Sequence, residues 1–151
     1  MNNPPQLLHN IIDAQKIRRA WHDEELYYSI LDIVAEFLDA DKKQARNHYQ
    51  VLRTRLKREG CNTLENIKRL KLRAADGKMR FTDVVNTEQS LRIIQSIPSP
   101  KVEPMKLWLA QVGRERLEEE TDPELGMFRA FNNTIAKYRE SGKSESWIEA
   151  R

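Results

Sequence analysis

The chain has 151 residues, of which 39% are hydrophobic and 32% charged, and its mean hydropathy is −0.75. That length suits one domain, or one domain with an appended helical piece. The composition excludes a membrane protein, because no run approaches the roughly 20 apolar residues that a spanning helix needs. The opening Met1-Asn2-Asn3-Pro4-Pro5 lacks the basic and apolar regions of a secretory leader. One cysteine, Cys61, forms no internal disulfide, and His9, His22 and His48 are scattered. A reducing cytoplasm, no metal and no cofactor are the expectations.

Net charge is only +3, but it is unevenly placed. Residues 1–41 carry 3 Lys/Arg against 8 Asp/Glu, residues 42–80 carry 13 against 3, and residues 81–151 carry 10 against 12. A basic middle between acidic ends raises the local potential and attracts polyanions.

In chain order, residues 1–6 read as a polar tail, and residues 1–15 as a terminal or edge segment. Ile17 to Trp21 and Leu26 to Ile30 are β-prone and flank the polar turn His22-Asp23-Glu24-Glu25, which predicts a hairpin. Asp32 is placed to cap a short helix over Ile33 to Leu38. After the break Asp39-Ala40-Asp41, Asp41 and Gln44 have capping-box spacing. Ala45, Tyr49, Leu52 and Leu56 then form one apolar helical stripe that ends at Gly60. A short helix, a break and a longer basic helix predict a helix-turn-helix-like pair.

Leu70, Leu72 and Ala74 alternate with Lys71 and Arg73, and Asp76-Gly77 is a two-residue turn signal before Lys78 to Thr82, so a second hairpin follows. Thr87 is the expected cap of a helix through Ile97, which Pro98 and Pro100 stop. Val102, Met105, Trp108, Leu109 and Val112 make an amphipathic stripe with a charged continuation through Glu120. Asp122-Pro123 opens a helix carrying Leu125, Phe128, Phe131, Ile135 and Tyr138, closed by Gly142. Ser144 caps a final helix reaching Arg151. So short a last helix suggests that the chain is one part of a longer protein.

On the basic helix, at 100° per residue, Lys43, Asn47, Gln50, Thr54 and Arg58 point away from the apolar stripe. Arg46, Arg53 and Lys57 take one shoulder, and His48 and Arg55 the other. Asn and Gln suit adenine, Lys and Arg suit guanine, and shoulder cations suit phosphates. Seven Lys/Arg and no Asp or Glu lie between Lys42 and Arg58, whereas a merely solvated helix face usually mixes signs. DNA is the expected partner, with an acidic protein or inert surface as the alternatives. Lys68, Arg69, Lys71, Arg73, Lys78 and Arg80 of the second hairpin would extend the positive surface, or guard a strand edge. Trp21, Tyr27 and Tyr28 fit either a base-stacking platform or cross-strand packing, the latter being the commoner use. Trp108, Trp147, Phe128 and Phe131 sit on helical stripes as core or as a dimer seam. A protein-interaction reading would place Trp108, Phe128 and Phe131 at an interface with a repressor, a recombination protein or a second copy. No nucleophile motif, phosphate-cradling glycine run or metal pattern appears, so no enzyme activity is expected.

The run Lys16 to Gly60, above all Tyr27 to Val34 and Leu52 to Gly60, resembles the Bro-N domain of phage antirepressors and baculovirus repeated-ORF proteins. Leu70 to Asp83, Ser96 to Pro100 and Lys106 to Leu109 are similar to its bacterial and prophage branch. Asp122-Pro123-Glu124 and Ser146 to Arg151 resemble DNA-damage-inducible protein D-like members. The resemblance implies an α+β DNA-binding domain, often the N-terminal module of a longer protein acting in phage gene control, in some members by contacting a repressor. It implies no cofactor and supplies no base-contact residues. The expected architecture is α+β: two hairpins forming an antiparallel sheet, packed with a helix-turn-helix-like pair over residues 16–120. A helical extension follows over 121–151.

Overall fold

The computed structural model describes residues 16–150. The segment read as a tail or edge, 1–15, lies outside the described residues.

Strand β1 (Arg19–His22) and strand β2 (Glu25–Ser29) form the first hairpin. Its two-residue turn, Asp23-Glu24, has φ of +48° and +64°. Positive φ at both central positions matches the right-handed twist of the flanking strands. Strand β3 (Lys68–Arg73) and strand β4 (Met79–Asn86) form the second. Gly77 takes φ +81° and the Asp76 carboxylate accepts from the Lys78 amide at 3.0 Å, so both serve the turn. The connection nevertheless runs over residues 74–78, closed by the Ala74 amide on the Lys78 carbonyl at 2.8 Å, and is longer than the two-residue turn expected.

β4 runs to Asn86, beyond the expected Thr82. Its last residues pair antiparallel with β2, Val85 opposite Tyr28 and Val84 opposite Ser29. This pairing joins the two hairpins into one four-stranded sheet of order β1-β2-β4-β3. Tyr27, Leu72 and Val84 cluster on it with Ala20 and Leu70.

Helix α1 (Ile30–Leu38) buries Ile30, Ile33, Val34 and Phe37. Its cap is Ser29, not Asp32. β2 enters the helix without a loop, so Ser29 is the last extended residue and its hydroxyl accepts from the Asp32 amide at 3.3 Å. Asp32 instead holds Arg18. Its carboxylate accepts from the Arg18 amide at 2.9 Å, from Nε at 2.8 Å and from a terminal guanidinium nitrogen at 3.0 Å. The same guanidinium reaches the Arg73 carbonyl at 3.3 Å and Ser29 Oγ at 3.5 Å.

Helix α2 (Lys42–Arg58) follows after three residues. Asp41 and Gln44 make both bonds of the capping box, at 2.8 and 3.1 Å, and Ala45, Tyr49, Leu52 and Leu56 are all buried. Gly60, at φ +79°, turns the chain away. Helix α3 (Thr87–Ile94) is capped by Asn86 rather than Thr87, in a second capping box with Gln89. Asn86 closes β4 in extended backbone, whereas Thr87 is already helical. A 3₁₀ turn, Pro100–Val102, leads into helix α4 (Glu103–Thr121), then helix α5 (Pro123–Glu140) and helix α6 (Glu145–Glu149). Asp122 and Ser144 cap α5 and α6 as expected, each accepting an amide at 3.3 Å.

The chain divides into two compact units, one up to Trp108 and one from Leu109. In the second, α5 buries none of its residues, and Phe128 and Phe131 are 63% and 64% exposed, so these two rings are not core. Arg129 bonds the Glu118 carboxylate at 2.6 Å and the Glu115 carbonyl at 3.1 Å. Tyr138 packs edge-on against Trp147, with centroids 5.2 Å apart.

Candidate nucleic-acid interface

The buried stripe of α2 fixes the rotation of the helix, and its polar residues follow. Lys43, Arg46, Asn47, Gln50, Arg53, Thr54, Lys57 and Arg58 are all exposed. Gln50, Thr54 and Arg58 border one shallow depression, while Arg53 and Lys57 border another beside Cys61. Thr54 donates its hydroxyl to the Gln50 carbonyl at 3.0 Å, an ordinary helical back-bond.

Arg55 differs from its neighbours. It is half-buried, its guanidinium donates to the Ser96 carbonyl, and Glu59 lies 3.9 Å away. It fastens α2 to the turn after α3. Lys43, Arg46, Arg53, Lys57 and Arg58 have no carboxylate partner within ion-pair distance among the described residues.

The second hairpin lies beside the N-terminal half of α2. Between them is a cleft of about 560 Å³, lined by Lys42, Arg46 and Tyr49 from the helix and by Arg69, Asp76, Arg80, Phe81 and Asp83 from the hairpin. Tyr49 donates its hydroxyl to Asp83 at 3.4 Å, tying α2 to β4. Burial, reinforced by the Asp83 charge, pushes the Tyr49 phenol up to about 12. Arg80 bonds Asp76 and Arg69 lies 3.3 Å from Asp83, so these two cations are balanced. The Arg80 hydrogen bond, with the Lys78 amide, holds the Asp76 carboxyl below its usual range. Lys71, Arg73 and Lys78 are exposed without a carboxylate partner among the described residues.

Tyr27 and Tyr28 are buried, at 8% and 7% exposure, and cannot stack on a base, whereas Trp21 is 74% exposed. The exposed apolar side chains of the second hairpin are Phe81 and Met79, at 62% and 56%. Sequence reading had no signal for them, because an aromatic in a strand is normally packed inward. Trp108 is half-buried. Among the described residues no His/Cys/Asp/Glu group suits a metal ion, and no helix is long and apolar enough to cross a membrane.

Residues 16–115 match the family model described as BRO family, N-terminal domain. The chain belongs to the BRO family. Neither the curated proteins nor the solved structures contain a significant match to it. BRO-family membership places it with phage antirepressor-like regulatory proteins rather than in an enzyme family. The matched segment contains both α2 and the β3–β4 hairpin and ends within α4, so α5 and α6 lie beyond the part by which the family is recognised.

Proposed function

We propose that this protein is a DNA-binding regulatory module of the prophage antirepressor type, contacting DNA through α2 and the β3–β4 hairpin. The observation that carries the reading is the row of exposed cations on α2 without carboxylate partners among the described residues: Lys43, Arg46, Arg53, Lys57 and Arg58. Phosphate binding releases condensed counterions, and cations already paired with carboxylates gain less from it. Lys71, Arg73 and Lys78 extend the surface. Asn47 and Gln50 are the residues that would read base edges, Thr54 and Arg58 border the same depression as Gln50, and Arg80 lines the cleft with Arg46. Arg55 acts chiefly as an anchor.

Fluorescence anisotropy on a duplex at several salt concentrations tests this. With about five phosphates neutralised, log K falls against log salt with a slope of about −4.5. Arg53→Glu weakens binding to all sequences, whereas Asn47→Ala or Gln50→Ala changes sequence preference. Binding no tighter than that of a neutral control protein rejects the reading.

A second reading has its own observation. α5 is 18 residues long yet buries none of them, and helices in proteins owe most of their stability to packing of an apolar face. Engagement of a repressor, a recombination protein or a second copy, through Phe128 and Phe131 and with Trp108 as a further anchor, would bury these rings. Sedimentation velocity of the chain over a concentration range separates the occupants. A monomer at every concentration argues against self-association, and a concentration-dependent shift abolished by Phe128→Glu supports it.

A further inference from the structure

We infer that the exposed face of the β3–β4 hairpin is a stacking track for single-stranded DNA, with Phe81 as the platform and Lys71 and Arg73 as the phosphate rail. This deepens, and rests on, the DNA-binding reading above.

The register carries the argument. Arg69 stands opposite Asp83, Lys71 opposite Phe81 and Arg73 opposite Met79, so strand alternation puts all six side chains on one face of the sheet. All but the half-buried Asp83 are exposed. On this face β4 therefore presents Met79 and Phe81, followed by Asp83, and β3 presents three cations, in two parallel rows. Along each row the step is about 6.7 Å, twice the rise per residue of a strand. Lys71 Nζ lies 5.2 Å from the Phe81 ring centroid and Arg69 lies 5.9 Å from it.

An aromatic face flanked by cations is what an unpaired nucleotide requires, because its base stacks and its phosphate meets the charge. In a duplex the base faces are already stacked on one another, and a ring could reach them only as a wedge. Phe81 is mid-strand rather than in the turn between Arg73 and Met79, so it does not project as a wedge would. Asp83 already pairs with Arg69, which leaves Lys71 and Arg73 as the rail.

The probes are a fluorescein-labelled oligothymidine and a labelled duplex, each of about 20 nucleotides per strand. Phe81→Ala is expected to weaken binding of the oligothymidine roughly tenfold with little change in salt slope, and to alter duplex binding less than about twofold. Phe81→Trp restores binding, since it restores the ring. Circular dichroism melting shows that each variant is folded. Equal binding of Phe81→Ala and the unaltered protein to the oligothymidine overturns the stacking track while leaving the DNA-binding reading intact. So does equal weakening on both probes. Binding of neither probe by the unaltered protein above a neutral control defeats the underlying reading and this inference with it.

Discussion

The two units are built on different physics. Up to Trp108, residues such as Ile30, Leu56, Val84, Ile93 and Met105 are fully buried, whereas from Leu109 onward Ile148 is the single buried hydrophobic among the described residues. The second unit is held by helix caps and by ion pairs: Arg129 with Glu118 and Glu119, Arg116 with Glu120, and Arg139 with Glu145. Exposed ion pairs contribute little each and are screened by salt, whereas buried apolar area is not. Buried apolar area therefore dominates the stability of the first unit, whereas the second responds more to salt and pH.

The largest expected effect that sharpens this contrast is Leu56→Ala. It removes a fully buried side chain that joins α2 to the core, and should cost about 2–5 kcal/mol in urea unfolding. Phe128→Ala, at an exposed ring of larger size, should stay within about 0.5 kcal/mol for the isolated chain. Equal losses would break the comparison.

Next in size is the cap. Asp41→Ala removes one half of the α2 capping box and should cost about 1 kcal/mol in the same measurement, with Asp41→Asn retaining most of the stability.

The smallest effect is acid sensitivity of the second unit. Arg129 holds the Glu118 carboxyl below its ordinary range, and Arg139 does the same to Glu145. A lowered carboxylate contributes stability above its ordinary pKa and loses it as pH falls through the lowered value. Amide signals of α5 and α6 should therefore lose protection below about pH 4, before those of α2 and β4. Raised salt should move them in the same direction. Simultaneous loss in both units would refute the division of labour.

Much of the fold was legible because its signals were local and redundant. For α2 the capping box, the four-residue stripe and Gly60 all agreed, and the structure places each as expected. Both hairpins were readable from turn chemistry, but not the lengths of their turns: His22 and Glu25 pair within the strands, and the second connection runs over residues 74–78. The errors fell where neighbouring residues could serve the same role. Ser29 and Asp32 are both good caps, as are Asn86 and Thr87, and only the strand running into each helix decides between them. The length of β4 was hidden for a related reason, since Val84 and Val85 pair with β2, which is far away in sequence. At the candidate site, helix rotation correctly exposed the α2 cations. It could not show that Arg55 is spent on Ser96, or that Asp76 and Asp83 balance Arg80 and Arg69. Those contacts exist only once the turn after α3 is brought to α2 and β3 is paired with β4. Phe81 was hidden by the phase of its strand.

Arg18 shows what that assembly asks of one side chain. Its guanidinium meets Asp32, Ser29 and the Arg73 carbonyl from different directions, and it also lines the cleft beside α2. A flat fork with five donors can satisfy three acceptors at once, whereas a lysine ammonium is a compact charge on a flexible stem. Exchange of one basic residue for the other at position 18 would leave every charge count unchanged and still unfasten the end of β3 from the start of α1. In descendants of this sequence, arginine there is therefore not interchangeable with lysine.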